Sequence, residues 1–189
     1  MAYFPIFVNI DTQKVLLVGG GHIASEKLEK LSDFTKEITV ISSEVSAEMH
    51  RLMQVHNITH FQRRYEKGDI EGFDIVIVAT DTVALHQAIY EESRGSRILV
   101  NSVDSIEYCD FIFPSYVQKG DLTIAFSTGG ASPAFSKYIR RHFEETIPDS
   151  VGAFLAKMKG LRSTMPKGKE RMAYFDGLVG VYFKKYFRD

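Results

Sequence analysis

A single cysteine, Cys109, stands among the 189 residues of the chain. No intramolecular disulfide can form, and this frugality suits a reducing, cytoplasmic setting. No apolar run approaches the roughly 18 residues of a membrane span. The opening stretch, Met-Ala-Tyr-Phe-Pro-Ile-Phe-Val, lacks the basic region and cleavage site of a signal peptide. Internal repeats and low-complexity segments are lacking too. The net charge is only −1, so the total points to no polyanion. Nor is there a basic stripe with interleaved aromatics, which argues against a nucleic-acid partner.

What the chain does have is ordinary globular composition, 44% apolar and 25% charged, and a lopsided charge. Residues 1–113 carry 10 Lys and Arg against 17 Asp and Glu; residues 114–189 carry 13 against 7. A basic C-terminal part beside an acidic N-terminal one suggests an anionic ligand, or else a lopsided solvated surface.

The most informative stretch is residues 14–24. Val15 to Val18 predict a short buried strand, three glycines follow, and a helical pattern begins. Gly19, Gly21 and Ala24 fit G-x-G-x-x-G/A, the dinucleotide fingerprint, in the strand–turn–helix context that gives it meaning. Gly19 permits a tight turn, Gly21 lets a pyrophosphate approach the backbone, and Ala24 lets helix and strand pack closely. The helix N-terminus offers N–H groups and partial positive charge to the phosphates. Leu28 and Leu31 join Ala24 on the inner face of this helix, with Glu26, Lys27 and Lys30 expected outside.

Strands are predicted over 37–42, 58–62, 73–80 and 97–101, with helices over 44–54 and 82–93. Before them, Tyr3 to Ile10 reads as an edge strand or an extended lead-in. Strands alternating with helices define an α/β, Rossmann-like doubly wound parallel sheet. The second strand ends in Ser42-Ser43-Glu44. An acidic residue there would bind a ribose hydroxyl and repel a 2′-phosphate, which favours NAD over NADP; Glu44 also suits the start of a helix. Thr80-Asp81 and Asn101-Ser102-Val103-Asp104 close strands at the carboxyl edge, where ligands of such sheets lie. His56 and His60 are spaced for a metal on a helix, but Ile58 and Thr59 between them favour a strand, so no metal site is expected.

From Asp110 the pattern changes to a β-hairpin around Lys119-Gly120-Asp121. Gly129-Gly130 breaks it. Ser132 then caps a helix that begins at Pro133, with Phe135, Ile139 and Phe143 on one side and Lys137, Arg140 and Arg141 on another. Further helices are expected over 148–161 and 167–187. The aromatics of the last, from Tyr174 to Phe187, recur at helical spacing and read as a helix–helix core.

Several segments in one order carry a resemblance: Phe4-Pro-Ile-Phe7, Val18-Gly-Gly-Gly-His-Ile-Ala-Ser-Glu-Lys27, Ala79-Thr-Asp81, Asn101-Ser-Val-Asp104, Cys109-Asp-Phe111 and Ser127-Thr-Gly-Gly-Ala-Ser-Pro133. Together they resemble the precorrin-2 dehydrogenase family of sirohaem biosynthesis, over the whole chain. The chain departs from the family at Glu26, where a basic residue is frequent, and at Ser105-Ile106, where Asp-Pro is common. The resemblance implies NAD-dependent oxidation of precorrin-2 to sirohydrochlorin by a homodimer; some members also insert ferrous iron or cobalt. It implies an NAD-binding domain over 1–113, a hairpin and helix for dimerisation over 114–147, and a helical C-terminal domain over 148–189. Gly19, Gly21, His22, Ile23, Ala24, Ser43, Glu44, Thr80, Asp81 and Val103 are the expected cofactor contacts. Asp104 is the expected catalytic acid or base, and the ligand of any metal if the protein is also a chelatase. Asn101, Thr128, Lys137, Arg140 and Arg141 are the expected substrate contacts. A sensing module that binds NAD without turnover is the rival reading.

Overall fold

The computed structural model describes residues 3–187. It divides into two compact units, Met1–Ile112 and Phe113–Asp189.

The first unit is a five-stranded parallel sheet with strands β1 (Val15–Val18), β2 (Ile38–Ile41), β3 (Thr59–Phe61), β4 (Ile75–Val78) and β5 (Leu99–Ser102). Their spatial order is β3-β2-β1-β4-β5. Helices α1 (His22–Ser32), α2 (Ala47–His56) and α3 (Val83–Ser93) make three of the four crossovers, and residues 62–74 pass from β3 to β4 without a helix. β1 and β4 pair in register from Val15↔Ile75 to Val18↔Val78, and every residue of both is buried. This is what unbroken Val, Leu and Ile runs mean in a parallel sheet covered on both faces. Leu16, Val18, Val76, Val78, Ile89 and Val100 build the core. The chain runs outward from β1 to β3, then returns to β4. The reversal falls between β1 and β4, and a crevice at their carboxyl ends is the usual ligand position.

The five parallel strands expected are present: β1 has the expected bounds, β2, β3 and β4 are shorter, and β5 starts two residues later and ends one residue later than expected. The second helix starts later than the pattern suggested, at Ala47, because Ser46 caps it by accepting from Met49 N at 3.1 Å. Residues 4–10 form no strand. Lys27, expected outside, is half-buried on α1.

The second unit holds the antiparallel hairpin β6 (Ser115–Lys119) and β7 (Leu122–Phe126) and helices α4 (Pro133–Thr146), α5 (Ser150–Thr164) and α6 (Lys169–Tyr186). Lys119 pairs with Leu122, leaving Gly120-Asp121 as a two-residue turn with Gly120 at φ +61°. A Cβ on Gly120 would lie 2.8 Å from Gly152 Cα, so the turn rests on α5 through two glycines. Ile147, Val151 and Tyr182 form a small core beneath Leu122, Ile124, Phe143 and Phe154. The aromatic helix is only partly the expected core. Phe175 and Tyr182 are buried, whereas Tyr174, Phe183 and Tyr186 are exposed. Among the described residues, no helix is long and apolar enough to cross a membrane.

Candidate active site

A cleft of about 600 Å³ opens at the topological reversal of the first unit, within the usual size of a cofactor pocket. Its walls are the glycine turn after β1, the Ala79–Asp81 end of β4 and the Val103–Ser105 turn after β5.

The three glycines do three different things. Gly19 has φ +125°, and a Cβ there would sit 2.1 Å from Ala79 O; no other residue fits between β1 and β4. Gly20 lies under the loop after β2, where a Cβ would meet Glu44 O at 2.2 Å. That loop is stapled down by Ser46 N donating to Gly20 O at 2.8 Å and by the Ser42 hydroxyl donating to Glu44 O. Gly21 faces open space, with nothing within 4 Å of the position a Cβ would take. Gly21 is also the N-cap of α1 and supplies no side-chain cap, unlike Ser46 of α2 and Ser132 of α4. The first N–H groups of α1 are therefore available to an anion at an open backbone. These features fit a dinucleotide pyrophosphate, and Gly19, Gly20 and the α1 N-terminus would hold it.

Of the expected cofactor contacts, Gly19, Gly21, His22, Ile23, Thr80, Asp81 and Val103 line the cleft. Ala24 is fully buried beneath α1 and serves packing. Ser43 and Glu44 are exposed beside the cleft, and Ser42 lines it in their place. Gly20, Val83, His86 and Ser105 also line it and were not expected. His86 is 2% exposed. Its Nε2 lies 2.9 Å from Thr80 O and 3.2 Å from Thr80 Oγ1, tying α3 to the end of β4. Its Nδ1 is buried without a hydrogen-bond partner among the described residues.

Asp104 stands on the cleft wall with an exposed side chain and a left-handed backbone, φ +59°. Such a conformation is uncommon outside glycine, though aspartate tolerates it, and it often marks functional turns. Lys27 is close enough for its charge to be felt by Cys109, and it feels Asp104 in turn. Burial lowers the Lys27 ammonium and Lys30 adds to this, against Glu26, Asp104 and Cys109. Burial raises the Cys109 thiol, which keeps its S–H proton.

The expected substrate contacts divide. Asn101 is 5% exposed; its Nδ2 donates to Phe111 O at 2.8 Å, and its Oδ1 is buried without a hydrogen-bond partner among the described residues. In the second unit, Thr128 donates to Ser132 O at 3.2 Å and accepts from Ser132 N at 3.1 Å, so its hydroxyl builds the turn into α4. Arg140 pairs with Glu144 at 2.5 Å. Lys137 and Arg141 are exposed on α4. The basic excess is not theirs: residues 114–149 carry four Lys and Arg against four Asp and Glu, and 150–187 carry eight against two. His56 ends α2 and His60 lies on β3, its Nε2–H donating to Ser42 O at 3.1 Å; the pair does not share a helix.

Residues 6–115 match the family described as putative NAD(P)-binding, and the chain belongs to that family of nucleotide-binding domains. Residues 119–146 match the sirohaem biosynthesis protein central family. Both matches stand in order along one chain, an NAD(P)-binding domain followed by a sirohaem biosynthesis central region. The chain is 36% identical over 160 residues to the siroheme synthase of Psychrobacter sp. (strain PRwf-1), covering 85% of this chain and 33% of that protein. It is 32% identical over 188 residues to the siroheme synthase of Methylobacillus flagellatus, covering 95% and 40%. The chain thus spans about a third of the length of the curated relatives it matches. Among solved structures it is similar in fold to a protein titled SirC, precorrin-2 dehydrogenase, with a TM-score of 0.79, 23% identity, and coverage of 97% of this chain and 91% of that one.

Proposed function

We propose that the protein oxidises precorrin-2 to sirohydrochlorin with NAD, and that Asp104 takes the proton. One observation carries this reading: the same cleft brings together the open glycine turn at Gly21 and the carboxylate of Asp104. The sirohaem-biosynthesis match over 119–146 supports the substrate class.

Removing two hydrogens from a tetrapyrrole sends a hydride one way and a proton another. A bound nicotinamide supplies the hydride acceptor, and the protein supplies position and field. The α1 N-terminus neutralises the pyrophosphate, and Gly19 and Gly20 bring the backbone close enough to do so. The end of β4, held by His86, walls the cleft. Asp104, an exposed carboxylate at the end of β5, accepts the proton as general base. Glu44 beside the end of β2 favours NAD, because its carboxylate repels a 2′-phosphate. Lys137 and Arg141 meet carboxylates of the substrate. The chain works as a homodimer through its second unit, where Phe135 and Tyr138 of α4 are 61% and 72% exposed in the single chain. Large apolar side chains left open on one helix suit a protein interface.

The test is anaerobic turnover of enzymatically made precorrin-2 with NAD, read as NADH absorbance. Asp104→Ala is expected to lower turnover by roughly 10²- to 10⁴-fold, the usual worth of a positioned base, with calorimetric NAD affinity unchanged. Full activity in that variant removes Asp104 from the chemistry. NAD binding without NADH from the wild-type protein makes it a sensing module. Ferrous iron added afterwards, with the metallated product sought, reads whether the same chain also inserts metal.

A further inference from the structure

We propose that Cys109 and Asp110, with Arg94, are positioning residues that hold Asp104 at the cleft; this rests on the reading of Asp104 as the base. The segment 102–109 leaves the sheet and returns to it, with Asp104 two residues into the excursion. β5 is an edge strand, so its outer N–H and C=O groups have no neighbouring strand, and such groups need partners when covered. The returning chain supplies them. Asp110 N donates to Val100 O at 2.8 Å, and Asp110 Oδ2 accepts from Val100 N at 2.9 Å. Cys109 Sγ accepts from Ser102 N at 3.2 Å and donates to Ser102 O at 3.1 Å. One thiol thus satisfies both backbone groups of the residue where β5 ends.

Asp110 is itself fixed. Arg94 at the end of α3 grips both its oxygens, at 2.9 and 2.7 Å, a bidentate geometry that sets direction as well as charge. The guanidinium also lies over the Tyr90 ring, 3.9 Å from its centroid. Asn101 closes the same base through Phe111 O. On the other side, Val103 N is bonded to Val78 O at 2.9 Å and Ser105 N to Ser102 O at 3.3 Å. Asp104 is therefore bracketed by fixed backbone on both sides. That bracket is what can keep a non-glycine residue at φ +59°, a conformation that persists where its surroundings over-determine it. The bonding carbons, nitrogens and sulfur of the bracket do not touch the cleft as reactants; their effect on the reaction passes through Asp104.

Cys109→Val keeps the size of the side chain and removes both sulfur bonds; Cys109→Ser keeps a donor and an acceptor there. Cys109→Val is expected to lower kcat by roughly tenfold or more, as small misplacements of a catalytic group do, with NAD affinity unchanged and with faster hydrogen exchange at the Val100 and Ser102 amides. Cys109→Ser is expected to recover most of the lost kcat. Arg94→Gln removes the bidentate grip on Asp110 and leaves Cys109 intact, and serves if Cys109→Val does not fold; it is expected to lower kcat in the same direction by a smaller factor. Asp104→Ala is run alongside. Turnover lost in Asp104→Ala but unchanged in Cys109→Val and Arg94→Gln overturns this assignment and leaves the base in place. Equal loss in Cys109→Val and Cys109→Ser overturns it too, since sulfur bonding would then not be the cause. Turnover surviving Asp104→Ala overturns the base and this assignment together.

Discussion

The two units of this chain bury their apolar residues to very different degrees. In the first, whole strands are sealed: Leu16, Leu17, Val76, Ile77 and Val100 are among its fully buried side chains, with Leu28 and Ile89 closing them in from the helices. In the second, α4 buries only Ser136, α5 only Val151 and Met158, and α6 only Phe175 and Tyr182. Phe135, Tyr138, Met172, Tyr174, Val181 and Phe183 stay exposed there. A parallel sheet between helices completes its own core, since each crossover covers one face. A hairpin with three helices has more apolar face than it has interior. The first unit thus closes a core of its own, although Phe4, Ile6, Phe7 and Val8 before β1 stay exposed, and the exposed helix faces of the second suit the homodimer proposed above.

The largest effects should come from the glycine turn, and they separate packing from ligand binding within the first unit. Gly19→Ala places a Cβ against Ala79 O at a φ that alanine avoids, so it should lower the melting temperature and abolish NAD binding together. The strain alone is about 1–3 kcal/mol before any clash. Gly21→Ala meets nothing within 4 Å, so it should melt like the wild type and yet bind NAD at least tenfold more weakly, because the new methyl stands where the pyrophosphate approaches. Equal melting losses in both variants would erase the distinction. In the second unit, Phe135→Ser with Tyr138→Ser should leave the first unit's melting within about 0.5 kcal/mol, as surface changes do, while shifting sedimentation from dimer to monomer. A dimer unchanged by both substitutions would move the interface off this face of α4.

The same contrast explains what could be read from the residues alone. Val15–Val18 and Ile75–Val78 announce themselves as runs, and the Ser132-Pro133 start of α4 is local chemistry, with Ser132 accepting from Phe135 N. The role of Gly20 was not legible, because its neighbour is the Glu44 carbonyl, brought over it by the fold. Asn101 stands at a strand end among the expected ligand contacts; only the return of the chain to Phe111 shows its Nδ2 donor engaged inside the protein. On α6 the aromatics recur so densely that periodicity could not say which face is inside, and the small core of the second unit admits only two of them.

The smallest effect expected is an acid-dependent one, and it sets a partly buried ion pair of the first unit against an open one of the second. Burial would raise the Asp110 carboxyl, but the Arg94 guanidinium and the Val100 amide more than offset it and hold it below the ordinary aspartate range. Lys119 lowers Asp149 in the second unit, but that side chain is 98% exposed, where pairs are worth little. A carboxyl depressed in the folded state binds its proton more weakly there than in the unfolded chain. Its stabilisation is therefore complete above the unfolded value of about 3.9 and is lost as pH falls through the lower folded value. The melting temperature of the wild type should exceed that of Asp110→Asn by a constant margin from about pH 7 to pH 5, and the margin should shrink below about pH 4. Asp149→Asn should show a smaller margin throughout. A margin for Asp110→Asn that stays flat down to pH 3, or widens, would mean that the Arg94 pair does not depress Asp110, and that Arg94 holds the return of β5 by its stacking on Tyr90 rather than by charge.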